Sequence, residues 1–309
     1  MKRAAIIIAM LGISAWGLAH NAFGQSNDKP AAQNAPAGQG SGQTAGQGSG
    51  QTAGQGSAQT AGQAAAPAGK RPPQAKTQDE FTAYKAATAL TDPAAQEKAA
   101  GEFATKFPDS ELRALLYKSV MHAYQQANSA DKMMEMAQKV LTFDADDPEA
   151  LLGVAQVLAE RTRDTDLDKD QRLAEARKNA QRALITVDTD VPSGGYPPEQ
   201  LNAYKGFLRS EAYAILGTID FNAKAYSDAE GNLRKSIDAF PQQVDPIAVF
   251  RLSVALDMQS KYPEALKYAN QAVDLTKEGT AAGDAARKER DRLTQLTGGG
   301  TPAPAPPKN

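Results

Sequence analysis

The chain has 309 residues, no cysteine, and a net charge of −2, with 41% hydrophobic and 6% aromatic residues. A chain without cysteine has no disulfides, so its stability rests on packed apolar area. The charge is uneven: residues 25–77 carry a net +3, while residues 78–297 hold 27 basic and 35 acidic residues, a net −8. An acidic body argues against nucleic acid and anionic membrane surfaces as partners, because both attract basic faces.

Residues 1–24 read as a secretory signal peptide. Lys2 and Arg3 form the charged start, Ala4 to Leu18 is apolar apart from Gly and Ser, and Ala22-Phe23-Gly24 offers a cleavage site before Gln25. The apolar run is shorter than the ~20 residues of a membrane span. No cysteine follows it, so a lipoprotein anchor is excluded, and no integral membrane insertion is expected after cleavage. The expected location is the periplasm or the medium.

Residues 25–77 are expected to be a disordered linker. The octad Gly-Gln-Gly-Ser-Gly-Gln-Thr-Ala starts at Gly38, repeats from Gly46, and recurs from Gly54 with Ala58 for Gly. Such a stretch buries too little to offset its backbone entropy. The Pro-rich tail, residues 298–309, is expected to be disordered as well.

Residues 78–297 read as helices throughout. Asp79–Leu90 and Pro93–Phe107 form a first pair, with Asp92-Pro93 as a cap followed by proline at the first helical position. With Ala114 as position 1, Tyr117, Val120, Met121 and Tyr124 fall at 4, 7, 8 and 11. Met133, Ala137, Val140 and Ala145 fall at 20, 24, 27 and 32. Pro148 opens the next unit, whose second helix, about Asp168–Val187, is delayed. A third unit starts near Ser210, with Leu216, Gly217, Ala229, Leu233 and Pro241 in register; its first helix is expected to begin early, at Pro198. A fourth starts at Pro246 and includes Leu252, Ser253, Ala265, Ala269 and Ala272. Ala281–Leu296 suits a terminal cap.

The third unit carries the pattern most clearly: a small residue (Ala229) lies twelve before Pro241, and Leu216-Gly217 lies twelve before that small residue. This 34-residue rhythm resembles the tetratricopeptide repeat, with its Leu-Gly, small-residue and proline positions. The ending Phe107-Pro108-Asp109-Ser110 resembles repeats of periplasmic members such as the Tol-Pal coordinator and the β-barrel assembly lipoproteins. The resemblance implies an all-α fold, a right-handed superhelical stack of antiparallel helix pairs. Small residues at positions 8 and 20 would let paired axes approach to about 8–10 Å.

The resemblance also implies a concave face, made by first helices, that binds extended peptides. Its candidate residues here are Lys118, His122, Gln125, Gln126, Gln156, Phe221, Asn222, Phe250 and Arg251, with Leu152, Glu160, Glu211, Thr218, Val254 and Asp257 at similar positions. The carboxylate clamp of some members is not matched, since Gly153 and Glu211 stand where its polar and basic residues would sit.

Catalytic and metal chemistry find little support. His122 is the one histidine after the signal; no cysteine, phosphate loop or dinucleotide motif accompanies it. No cofactor and no enzymatic activity are expected. Asp164, Asp166, Asp168, Asp170 and Glu175 match the oxygen positions of a calcium-loop template, but Lys169 replaces its glycine. The same stretch also reads as a solvated loop ending in a helix cap, with Asp168 and Gln171 as a capping box. The expected function is an exported interaction scaffold that binds an envelope protein or peptide. The rival expectation is a self-associating structural or assembly subunit, a homo-oligomer.

Overall fold

The computed structural model describes residues 70–192 and 197–299. The expected signal peptide, linker residues 25–69 and tail residues from 300 onward lie outside the described residues.

Eleven α-helices and no strand occur among the described residues. They are α1 (Gln78–Thr88), α2 (Pro93–Lys106), α3 (Leu112–Gln126), α4 (Ala130–Phe143), α5 (Pro148–Arg161), α6 (Lys169–Thr189), α7 (Pro198–Asn222), α8 (Tyr226–Ala239), α9 (Pro246–Asp257), α10 (Tyr262–Leu275) and α11 (Ala281–Thr294). The expected last helix, ending at Leu296, stops at Thr294 and passes into a π-helical turn, Gln295–Gly299. The early start of α7 and the late start of α6 are as the sequence predicts.

Local chemistry sets the helix starts. Thr77, Asp92, Asp147, Asp245 and Thr280 each accept a hydrogen bond from a first-turn backbone N–H, which satisfies donors no helix can satisfy internally. Pro93, Pro148 and Pro246 follow three of these caps, where a missing N–H costs nothing. The expected capping box at α6 does not form: Asp168 makes no side-chain cap bond there. Asp166 instead accepts from the Arg163 backbone N–H at 2.9 Å, which closes a turn before the helix begins.

Three helix ends repeat one backbone device. Asn128, Lys224 and Ser260 hold φ of 55°, 59° and 61°. In each case the next residue's N–H bonds back across the turn: Ser129 to the Tyr124 carbonyl, Ala225 to Asp220, and Lys261 to Leu256. This is the Schellman closure of a helix by a left-handed residue. All three stand at position 15 counted from the starts of their units, so the same backbone turn recurs at the same place in the first, third and fourth units. The second unit lacks the device. Its equivalent, Thr162, is extended at φ −73° and ψ 124°, and the chain runs on through an insertion before α6.

Each helix packs on the next, most extensively in the pairs α3/α4, α5/α6, α7/α8 and α9/α10. In addition α1 meets α3, and α5, α7, α9 and α11 meet in succession. The interior is built from small and aliphatic residues. Ala137, Ala155, Ala229, Ala265 and Ala269 are fully buried beside Leu116, Leu233, Leu252 and Leu256. The expected approach of positions 8 and 20 is visible in the fourth unit, where the Ser253 hydroxyl donates to the Ala265 carbonyl at 3.0 Å.

Residues 70–76, the end of the expected linker, lie on this body. Lys70 Nζ sits 2.6 Å from both Asp144 oxygens and 3.7 Å from Asp190. Arg71 pairs with Glu111, and the Lys76 N–H donates to Glu80 at 2.7 Å. Apart from Ala75, which packs against the core, the contacts are ionic and polar, so hydropathy alone does not reveal them.

Candidate binding face

Polar side chains converge where α3, α5, α7 and α9 face one another. Lys118 and His122 stand one turn apart on α3. Asp147 caps α5 and Glu149 lies in its first turn. Tyr204, Glu211 and Thr218 recur every seven residues along α7, and so share one stripe. Asp245 caps α9, and Arg251 follows on the same helix.

At one end these groups are locked together. Lys118 Nζ lies 2.5 Å from Asp147 Oδ2 and 2.9 Å from Glu149 Oε1. His122 Nε2 lies 2.9 Å from Glu149 Oε2, and the Tyr204 hydroxyl also bonds Glu149. Burial opposes charge on Glu149, but Lys118, His122 and Tyr204 outweigh it and hold the carboxyl well below its usual range. Burial likewise opposes the Lys118 ammonium, and Asp147 and Glu149 more than compensate. His122 moves the other way: burial lowers it, which keeps its imidazole neutral near pH 7.

At the other end the groups are looser. Arg251 donates to the Thr218 hydroxyl at 2.8 Å and makes no ion pair among the described residues. Gln156 donates to Glu160 at 3.2 Å. Asp245 spends its carboxylate on the backbone N–H groups of Ile247 and Ala248. Glu211, half-buried on α7, has no hydrogen bond or ion pair among the described residues. Burial, then the charges of Glu149 and Asp245, push its carboxyl up from 4.5 to about 8.

The expected groove residues therefore divide. Lys118, His122, Gln156 and Arg251 join this polar face. Phe221 packs edge-on against Tyr226 with centroids 5.9 Å apart, and Phe250 packs against the apolar cluster of Val249, Ala272 and Ala286. Both aromatics serve packing between neighbouring helices. Gln125 and Gln126 end α3 and Asn222 ends α7, about one turn beyond His122 and Thr218. Glu149 and Tyr204 are missing from the expectation. Glu149 occupies position 2 of its unit, which the spacing could have flagged. Tyr204 lies in the early extension of α7, outside the repeat.

Two other polar places are less open to a ligand. In the calcium-like loop, Lys169 Nζ sits 2.7 Å from Asp164 Oδ1, so a lysine takes the place of a cation. A hollow of about 620 Å³ between α2, α3 and α4 is lined by Glu97, Gly101, Tyr117 and Lys139. Of its two carboxylates, Glu97 already bonds Tyr124 at 2.6 Å and Lys132 at 3.2 Å, and Glu102 lies 3.9 Å from Lys98.

Compared with known proteins, the chain matches no protein-family model and no curated protein sequence.

Proposed function

We propose that this chain is an exported, non-enzymatic scaffold of the tetratricopeptide type, and that α3, α5, α7 and α9 present a concave face to an extended segment of an envelope protein. The observation that carries the reading is the position-15 turn repeated at Asn128, Lys224 and Ser260. It supports one helix-pair unit reused along the chain, and such stacks turn one row of helices toward a common face. The polar groups on that face fit binding better than catalysis. Lys118 and His122 are held by carboxylates, and Arg251 and Glu211 keep capacity for a ligand. Among the described residues no helix is long and apolar enough to cross a membrane, which is compatible with an exported chain.

Selection of displayed peptides against the full chain tests the proposal. Enriched peptides are expected to lose at least tenfold affinity for a Gln156→Ala/Arg251→Ala variant and to be indifferent to Ile185→Ser on the outer side of α6. No enrichment, or enrichment indifferent to the inner-face changes, would overturn it. One observation favours the self-association reading: Ile185 is 64% exposed. A defined oligomer in light scattering that Ile185→Ser dissolves would put that reading first.

A further inference from the structure

We infer that the segment bound on this face carries a lysine or arginine side chain, and that Glu211 receives its cationic head. The inference rests on the reading of the face as a peptide-binding one, and it names the chemistry of the partner.

Charge is unevenly matched on the four helices that meet there. From α3 come Lys118 and His122, and the histidine is held neutral by burial. From α5 come Asp147, Glu149 and Glu160; from α7, Glu211; from α9, Asp245 and Arg251. Five carboxyl groups thus face two cations; Arg161, which reaches Glu160 from the end of α5, is paired with Asp131. Lys118 is spent on Asp147 and Glu149. Arg251 turns to Thr218, and Asp245 and Glu160 are the opposite charges that reach it. The partners of the remaining carboxylates are also fixed: His122 and Tyr204 for Glu149, backbone N–H groups for Asp147 and Asp245, and the Gln156 amide for Glu160.

Glu211 alone of the five has no donor among the described residues, and the charges that reach it, from Glu149 and Asp245, are of its own sign. A half-buried carboxyl in that position stays protonated near neutral pH, which is why its titration moves to about 8. A cation placed beside it would supply the missing opposite charge and a charge-assisted hydrogen bond. An anion would meet Glu149 and Asp245. A hard divalent ion needs several free oxygens, and those of Glu149 are already taken by Lys118 and His122. The side chain of a lysine or arginine in an extended segment needs one open carboxyl, and the face offers one.

Binding then converts Glu211 from acid to carboxylate, so a proton leaves to solvent as the cation arrives. Affinity is expected to rise with pH up to about 8 and level off above it.

Two displayed peptide libraries, one complete and one lacking Lys and Arg, would be selected in parallel against the full chain. Enrichment is expected from the complete library only. Glu211→Gln should cost the selected peptides tenfold or more, and calorimetry in two buffers of different ionisation enthalpy should report release of a proton near pH 7. Replacing the basic residue of the peptide by norleucine should cost wild type as much, and the Glu211→Gln variant little; this arm leaves the protein untouched. Equal enrichment from both libraries, at inner-face residues, would overturn the inference and leave the scaffold reading standing. Enrichment from neither would overturn both.

Discussion

Gly217 faces Leu233 so closely that a β-carbon on the glycine would lie 2.7 Å from the leucine Cγ. This is a close crossing in the α7/α8 pair, and it joins positions 8 and 24 of the third unit. Gly217→Ala should destabilise by about 1–3 kcal/mol through overpacking, because Leu233 is fully buried and cannot give way. Gly231, on the exposed side of α8, has nothing within 4 Å of its notional β-carbon. There the same change should stabilise by about 0.5–1 kcal/mol, the ordinary gain of alanine over glycine in a helix. Urea midpoints of the two variants check the pair; equal signs would count against the crossing.

The left-handed turns give a second prediction. Lys224 and Ser260 hold a backbone conformation that costs a residue with a β-carbon about 1 kcal/mol and costs glycine almost nothing. Lys224→Gly and Ser260→Gly should each gain about 0.5–1 kcal/mol. Asn128→Gly should gain less, since asparagine tolerates this region. Thermal or urea unfolding would detect the order.

The position of these turns also marks what the sequence could and could not disclose. Helix pairs α3/α4, α7/α8 and α9/α10 were legible because apolar and small residues recur at helical spacing, and Pro198 and Pro246 punctuate the starts of the last two. The turn conformation itself was hidden, since none of its three residues is glycine. Residues 70–76 escaped because Lys70 and Arg71 dock through charge. The candidate face was half legible: Lys118, His122, Gln156 and Arg251 follow from spacing. The isolation of Glu211 does not, because it depends on which donors fail to reach it, and only packing decides that.

Stability should depend on pH through Glu211. Its carboxyl titrates at about 8 in the folded chain and near 4.5 when unfolded. Between those values the folded state holds a proton that the unfolded state has released, so stability falls as pH rises through the window and levels off above it. Glu211→Gln should remove this part of the slope, gaining on the order of 1–3 kcal/mol at pH 8.5 and almost nothing at pH 4, with water access to the face reducing the full shift. Urea unfolding of both proteins at the two pH values measures the difference; parallel pH profiles would contradict the burial of Glu211 among like charges.

The docked segment can be separated from the rest of the linker by truncation. Removing residues 1–69 should leave the melting temperature within about a degree. Removing residues 1–76 should lower it by roughly 2–4 °C, because the part-buried Lys70–Asp144 ion pair contributes up to about 1 kcal/mol and the Arg71–Glu111 and Lys76–Glu80 contacts are lost with it. If both truncations behave alike, these contacts are not formed in solution.

The most direct test of the scaffold reading places a photo-crosslinking residue in the full chain, at Gln156 on the proposed binding face in one protein and at the exposed Ile185 of α6 in another. With a selected peptide present, the expected result is a peptide adduct from Gln156 and none from Ile185. Adducts from Ile185, to the peptide or to a second copy of the chain, with none from Gln156, would contradict it.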